Sequence, residues 1–411
     1  MAQWSEYTTG ERIKLLRGRD IRQTDLAEMT GLSVATIQAA EQDKTLSLQT
    51  LLALADALQT DTSVILGQQE PRRQMDRGDR AVMRALSLAV HDTAAGVFAG
   101  VEAPPMLAEL KEATARCWGL YWKGRYTEAG AMAAPFVTAA AAAVHDRAVG
   151  DQAAALGALS DAYRIAGYVA NLLGNRDLAY AAIGHAQATA ERASDDLRLA
   201  LVMSGRSWVY LRDARLTEAL TLAEKAAVTI EPRFSTATAE ELTVYGSHIN
   251  FAAVVASRMG NKDRVGDYLS QSHAAGARMG GEHRAHGTLF GPVTATTQAV
   301  GINVALGQAG KALRLAESIG DLSQLTPAAR NRYAMDKAMA QADAKLWDAS
   351  LETLEGALRA APEWGRHQAL PGVIVQKVGR ASTARLRRVS ELIGVRHGAD
   401  GFAPATARTA L

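Results

Sequence analysis

Cysteine is almost missing from this chain: Cys117 is the single one in 411 residues. That excludes an intramolecular disulfide and makes a reducing cytoplasm the expected setting. Its surroundings, "ATARCWGLYW", read as a buried small residue rather than a reactive thiol. Aromatics make up only 5%, and no run of alternating β-branched residues stands out, so a sheet is not expected. No stretch of about 18 uncharged apolar residues is available to span a bilayer. The Ala-rich run Ala129 to Val144 contains Pro135 and reads as a small-residue helix, so no membrane is expected. Residues 1–30 show no basic start followed by an apolar stretch and cleavage site, so a signal peptide is not expected. The formal charge of +2 is too near zero to name a partner. There is no Gly-rich phosphate loop, nucleophile elbow or nucleotide fingerprint, so no enzyme and no cofactor are expected. "GGEHRAHG" sets His283 and His286 beside Glu282. It lacks the order of a zinc hydrolase and reads as a polar loop, so no metal is expected.

What the chain has is Ala, Leu, Glu and Arg, which favour helix nearly everywhere. The fold class read from this is all-α. A first unit, residues 1–67, divides into short helices: "TGERIKLLRG", "RQTDLAEMT", "SVATIQAAEQD", "SLQTLLALADALQ" and "DTSVILG". Ser33 and Ser47 are the expected N-caps and Gly31 a tight turn. "GQQEPRRQMDRGD" is linker chemistry, giving a linker over 68–80 that is rich in arginine (Arg72, Arg73, Arg77, Arg80). A second helical unit covers 81–395, and a mobile tail 396–411.

Within the second unit a pattern recurs: "GRYTEAG", "GNRDLAY", "ARLTEAL", "GNKDRVG", "GQAGKAL" and "AKLWDAS". The turns begin at Gly124, Gly174, Ala214, Gly260, Gly307 and Ala344, at spacings of 50, 40, 46, 47 and 37 residues. Each carries a small residue early in the next helix: Ala129, Ala179, Ala219, Val265, Ala312 and Ala349. Such spacings belong to helix pairs with variable loops, stacked into a curved array with a long concave surface. The pattern resembles a degenerate tetratricopeptide array over Leu107 to Ala361; a plain helical bundle is the competing reading.

In "RQTDLAEMTGLSVATIQAAEQDK", Ala27 lies four residues before Gly31 and Ile37 six after it. A helix-turn-helix needs this arrangement: a small residue where the helices cross, a flexible corner, and aliphatic anchors in Leu26 and Ile37. With the helices downstream, residues 7–67 resemble the XRE family of phage-repressor-like DNA-binding domains. The resemblance implies that the helix Ser33 to Glu41 enters the major groove of double-stranded DNA. Val34 and Ala35 would meet a thymine methyl and Gln38 adenine N6 and N7. Gln23, Ser33, Thr36 and Lys44 would contact phosphates, with Arg17, Arg19 and Arg22 adding charge along the backbone. Two features depart from the family. Asp43 stands where relatives mostly have glycine, and residues 1–70 carry 6 basic and 10 acidic side chains, a balance of −4. Two half-sites read by a homodimer would offset a weak single contact.

A helix-turn-helix joined to such an array also resembles actinobacterial XRE regulators with long helical C-terminal domains, in "LFGPVTATTQAVGINVALGQAGKALRLAE" and "RLRRVSELIGV". More distantly, it resembles the peptide-pheromone-sensing (quorum-sensing) regulators of Gram-positive bacteria. These resemblances imply that a signal peptide or small molecule binds the concave face. Counting back from the turns, the inward residues expected there are Asp161, Arg164, Tyr168 and Asn171, then Ser247, Asn250, Val254 and Ser257. Trp118, Trp122, Trp208 and Trp347 read as packing, although Trp208 can reach the groove. The late "GRASTARLRRVSELIGVRHG" reads as the exposed face of a capping helix. Two readings remain open: a signal-responsive transcription regulator, or a protein-interaction scaffold whose helix-turn-helix no longer reads DNA.

Overall fold

Polar caps cut the first unit into five helices in this computed structural model: α1 (Thr9–Arg17), α2 (Gln23–Thr30), α3 (Val34–Glu41), α4 (Leu48–Ala57) and α5 (Thr62–Ile65). The structure describes residues 4, 7–18, 21–44, 46–58, 60, 62–67, 77–98, 100–101, 103–146, 149–379, 384–393, 395–398 and 401–404. Ser33 and Ser47 cap α3 and α4 as expected, each hydroxyl accepting at 3.1 Å from the amide three residues on. Gly31 closes α2 with φ of 65°, a left-handed turn open to glycine at little cost. Ile13, Leu26, Ile37, Leu51 and Leu54 are fully buried between the helices. Asp43, the departure from the family pattern, also turns left-handed (φ 55°), and its carboxylate accepts the Gly10 amide at 2.7 Å. The carboxylate thereby holds the start of α1 on the end of α3. A Cβ on Gly10 would collide with the Glu41 carbonyl there, which is why the contact needs glycine.

After α6 (Arg77–Ala94) come six helix pairs: α7 (Leu107–Trp122) with α8 (Tyr126–Asp146), α9 (Val149–Leu172) with α10 (Arg176–Ala193), and α11 (Asp196–Arg212) with α12 (Leu216–Thr229). The series continues with α13 (Ala239–Arg258) and α14 (Lys262–Met279), α15 (Pro292–Ala305) and α16 (Ala309–Glu317), and α17 (Pro327–Asp343) and α18 (Trp347–Ala360). The second helix of each pair packs on the first helix of the next, as a stacked array requires. Left-handed residues make the turns at Gly124, Gly174, Ala214, Gly260 and Gly307. In the sixth pair the register sits one residue later than expected. Lys345 takes the left-handed turn (φ 62°), and Ser350 rather than Ala349 is the fully buried small residue, donating to the Ala338 carbonyl at 2.7 Å. Helix α8 runs through Pro135 and is long and apolar enough to cross a membrane, yet 61% of its apolar window is buried inside the protein.

Two hairpins lie outside the expected helices. Strands β1 (His283–Ala285) and β2 (Thr288–Phe290) pair antiparallel, with His286 and Gly287 at the tip. The segment read as a polar loop is therefore a hairpin, and Glu282, His283 and His286 each have a structural partner. Glu282 accepts the Val293 amide at 2.8 Å and so caps α15; His283 meets Thr243 Oγ1 at 3.0 Å, and His286 meets Glu240 at 2.6 Å. The tip reaches back to the first two pairs, where Trp122 Nε1 of α7 donates to the Gly287 carbonyl at 2.7 Å and Arg164 of α9 to that of His286. Strands β3 (Val395–Gly398) and β4 (Gly401–Pro404) form the second hairpin where a tail was expected.

The array curls until its end meets its start. On α19 (Pro362–Arg366), Glu363 accepts the Thr127 amide at 2.7 Å, and Trp364 packs where Gly124 leaves no room for a side chain. Beyond α20 (Leu370–Val378), α21 (Ala384–Leu392) covers α18, its Arg388 paired to Glu355 at 3.2 Å. That is the capping helix expected from the late basic stretch.

Candidate DNA-binding face and interior cavity

Helix α3 packs inward on α1 and α2 and leaves Ser33, Ala35, Gln38 and Gln42 exposed, with Val34, Thr36 and Ala39 half-buried. Beneath it lies Glu41, a buried carboxylate that must be compensated. Arg17 Nε reaches its Oε1 at 2.7 Å and Gln23 Nε2 its Oε2 at 2.6 Å; Gln38 Nε2 donates to Gln23 Oε1 at 3.3 Å. The exposed amide of Gln38 is thus positioned from below through Gln23. A second buried cation, Arg12, ties the ends of the unit together by donating to the Trp4 carbonyl at 3.0 Å; burial lowers it to about 10.

The inner faces of the first helices of the pairs enclose a cavity of about 430 Å³, within the range of small-molecule sites. Trp118, Trp122, Tyr168, Trp208, Phe251 and Trp364 give it aromatic walls. Arg164, Arg212, Arg258 and Arg332 line it too; among the described residues, none that lines it is acidic. Arg164 is 1% exposed, lies 4.7 Å from the Trp118 ring centroid, and pairs with Asp161 at 2.9 Å. Leu48 and Leu52 of α4 and Thr62 and Ser63 of α5 complete the lining, so one wall belongs to the N-terminal unit. No residue of α3 lines the cavity.

Residues 13–66 match the Cro/C1-type HTH DNA-binding domain. The match spans the crossing of α2 and α3 together with α4 and α5, and it supports a DNA-binding regulator. No curated protein matches the chain. Among solved structures, the crystal structure of BtubC (BKLC) from P. vanneervenii is similar at 16% identity and a TM-score of 0.38, over 55% of this chain and 89% of that one.

Of the residues expected on the DNA-facing side of the helix-turn-helix domain, Ser33, Ala35, Gln38 and Lys44 are exposed. Val34 and Thr36 are half-buried beside them, and Gln23 stands under Gln38. Arg22 is 81% exposed at its side chain and pairs with Asp25 at 2.9 Å, a surface contact that little energy would break. Arg17 is turned inward by Glu41 instead of along a phosphate backbone, because a buried carboxylate needs a counter-charge. Arg19 lies outside the described residues.

Of the residues expected on the concave face, Arg164, Tyr168, Ser247, Asn250 and Val254 line the cavity. Asp161, Asn171 and Ser257 are buried away from it: Asp161 between Arg164 and Arg198, Asn171 under Arg176, and Ser257 bonded to the Val254 carbonyl. Each of these three comes first or last in its quartet. The neighbours Leu172 and Arg258 do line the cavity, so Asn171 and Ser257 are kept out by their place around the helix and not by distance along it. Trp118 and Trp122, read as packing, line the cavity instead, as does Trp208. Their signal lay in "CWGLYW", aromatics three and four apart on a first helix just before a Gly turn.

Proposed function

We propose that the chain is a sequence-specific DNA-binding transcriptional regulator whose helical array binds a small ligand and dimerises. The observation that carries this is the exposed face of α3, poised on Gln23 and Glu41 within the segment matching Cro/C1-type domains. In this reading α3 occupies the major groove, with Val34 and Ala35 against a thymine methyl and Gln38 on adenine. Gln23, Ser33, Thr36, Lys44 and Arg22 hold the phosphates. The array is of tetratricopeptide type, as in actinobacterial XRE regulators, and its interior cavity takes the signal. A helix-turn-helix domain at 1–67, a linker at 68–80 and a sensor at 81–395 follow from this, all acting in the cytoplasm, where the DNA is.

Fluorescence anisotropy against random and upstream-region duplexes, over a salt series, tests the reading. A regulator gives a steep salt slope and a specificity ratio that Gln38→Ala erodes. Equal affinity for every sequence would reject it. The −4 balance of residues 1–70 favours one alternative, a scaffold that binds a partner protein and shows no salt-dependent DNA binding.

A further inference from the structure

We infer that the cavity takes an anionic small molecule with a flat apolar body, and that this ligand touches the helix-turn-helix domain as well as the array. The inference deepens the sensing role proposed above and rests on it.

Charge is the first ground. Four arginines line the cavity and no carboxylate among the described residues does. Asp161 neutralises Arg164 at 2.9 Å, but Asp336, 3.4 Å from Arg332, is the acidic group acting on both Arg332 and Arg258. Burial, with the charge of Arg332 acting in the same direction, lowers Arg212 and Arg258 to about 10. Like charges gathered in a low-dielectric space are costly, and an anion between them relieves that cost.

Donors are the second ground. On residues lining the cavity, Trp118 Nε1, Arg164 Nε and Asn250 Nδ2 are buried and have no hydrogen-bond partner. An indole or guanidinium N–H can only donate, so what satisfies these groups is an acceptor oxygen. The walls supply the rest: Trp122, Tyr168, Trp208 and Phe251 offer faces to a planar body.

The lining itself supplies the contact with the DNA-binding unit, since Leu48, Leu52, Thr62 and Ser63 close the same space. Partial desolvation raises the Asp56 carboxyl of α4, and Glu218 and Asp213 of the array act on it as like charges, so charge repulsion opposes the seating of this wall. A ligand there changes the seating of α4 and α5 directly, with no relay through the array.

A matched dye pair tests this without DNA: 1-anilinonaphthalene-8-sulfonate and N-phenyl-1-naphthylamine, the same rings without the sulfonate. The anion is expected to bind once per chain and about tenfold tighter than the neutral dye. The Arg258→Gln/Arg332→Gln variant loses that preference while still binding the neutral dye, which shows the cavity intact. Should the pair of changes melt the protein, Arg258→Gln alone gives the same reading. With the sulfonate bound, amide exchange slows over residues 48–66. Equal affinity for the two dyes, a preference that survives in the variants, or protection confined to the array would overturn the inference. The DNA titration above decides the regulator reading separately.

Discussion

Gln38 donates to Gln23 across 3.3 Å, and Gln23 in turn donates to Glu41 across 2.6 Å. An exposed amide at the centre of α3 is thereby held by a residue on α2 and rooted on a buried carboxylate. Removing Gln38 should strip base discrimination and leave the phosphate contacts. For Gln38→Ala, the expected loss on specific DNA is about 1–3 kcal/mol, with the salt slope unchanged. Gln23→Ala removes the proposed phosphate contact and the support under Gln38, so it should weaken binding to random duplexes too and erode specificity only in part. Anisotropy titrations of both variants separate the two roles, and full specificity in Gln38→Ala would sink the assignment.

Glu41 sits between Arg17 and Gln23, its side chain 1% exposed. Glu41→Ala leaves the Arg17 guanidinium without its partner and should cost about 3 kcal/mol of domain stability. Urea denaturation measures it; a midpoint equal to the parent's would show the pair to be dispensable.

The tip of the β1–β2 hairpin lines the cavity, where Gly287 takes a left-handed φ of 74° against the Trp118 ring. A Cβ there collides with the indole. Gly287→Ala is expected to lower stability by about 1–3 kcal/mol. It should also raise acrylamide quenching of the cavity tryptophans. Unchanged quenching would mean that the tip does not seal the space.

The two asparagines singled out in the sequence now have different expected effects. Asn250 lines the cavity, its Oδ1 accepting from Ser272 at 2.6 Å. Asn171 holds Arg176 at 2.7 Å outside it. Both substitutions give up the hydrogen bond of a buried side chain and should lower the melting temperature. Asn250→Ala should also weaken binding of the anionic dye, whereas Asn171→Ala should leave the dye affinity alone. The opposite pattern would reverse the placement of the site.

Burial is the largest cause holding His185 and His248 below the ordinary histidine value. The unfolded chain therefore binds protons that the folded chain refuses. Stability is full above the unfolded value near pH 6.5 and falls as pH drops through it toward the lower folded values. Urea midpoints at pH 7.5 and 5.5 should differ in that direction, and His185→Gln should narrow the difference. A midpoint higher at pH 5.5 would contradict it.

The N-terminal domain was legible because its signals are local. Caps, the Gly31 corner and the Ala27–Ile37 crossing involve residues a few positions apart, and all of them appear as expected. The repeat turns were legible for the same reason, apart from a one-residue shift at Lys345, where no glycine marks the left-handed position. Trp122 bonding Gly287, 165 residues away, was not legible, nor was Arg17 turning to Glu41. Periodicity tells broadly which face of a helix turns inward, but not its rotation against the neighbouring pairs: Leu172 lines the cavity and Asn171 beside it does not. Asn171 and Asn250 therefore looked equivalent.

The sequence alone determined the helical class, the helix-turn-helix and the number of paired turns, since hydrogen bonding and φ preference act over one or two turns of chain. Only the tertiary structure decided that the array curls shut, that arginines from α9, α11, α13 and α17 meet in one space, and that α4 and α5 complete its wall. Those arrangements depend on how successive pairs rotate against one another. Small angles add up over six pairs, and no single segment encodes their sum.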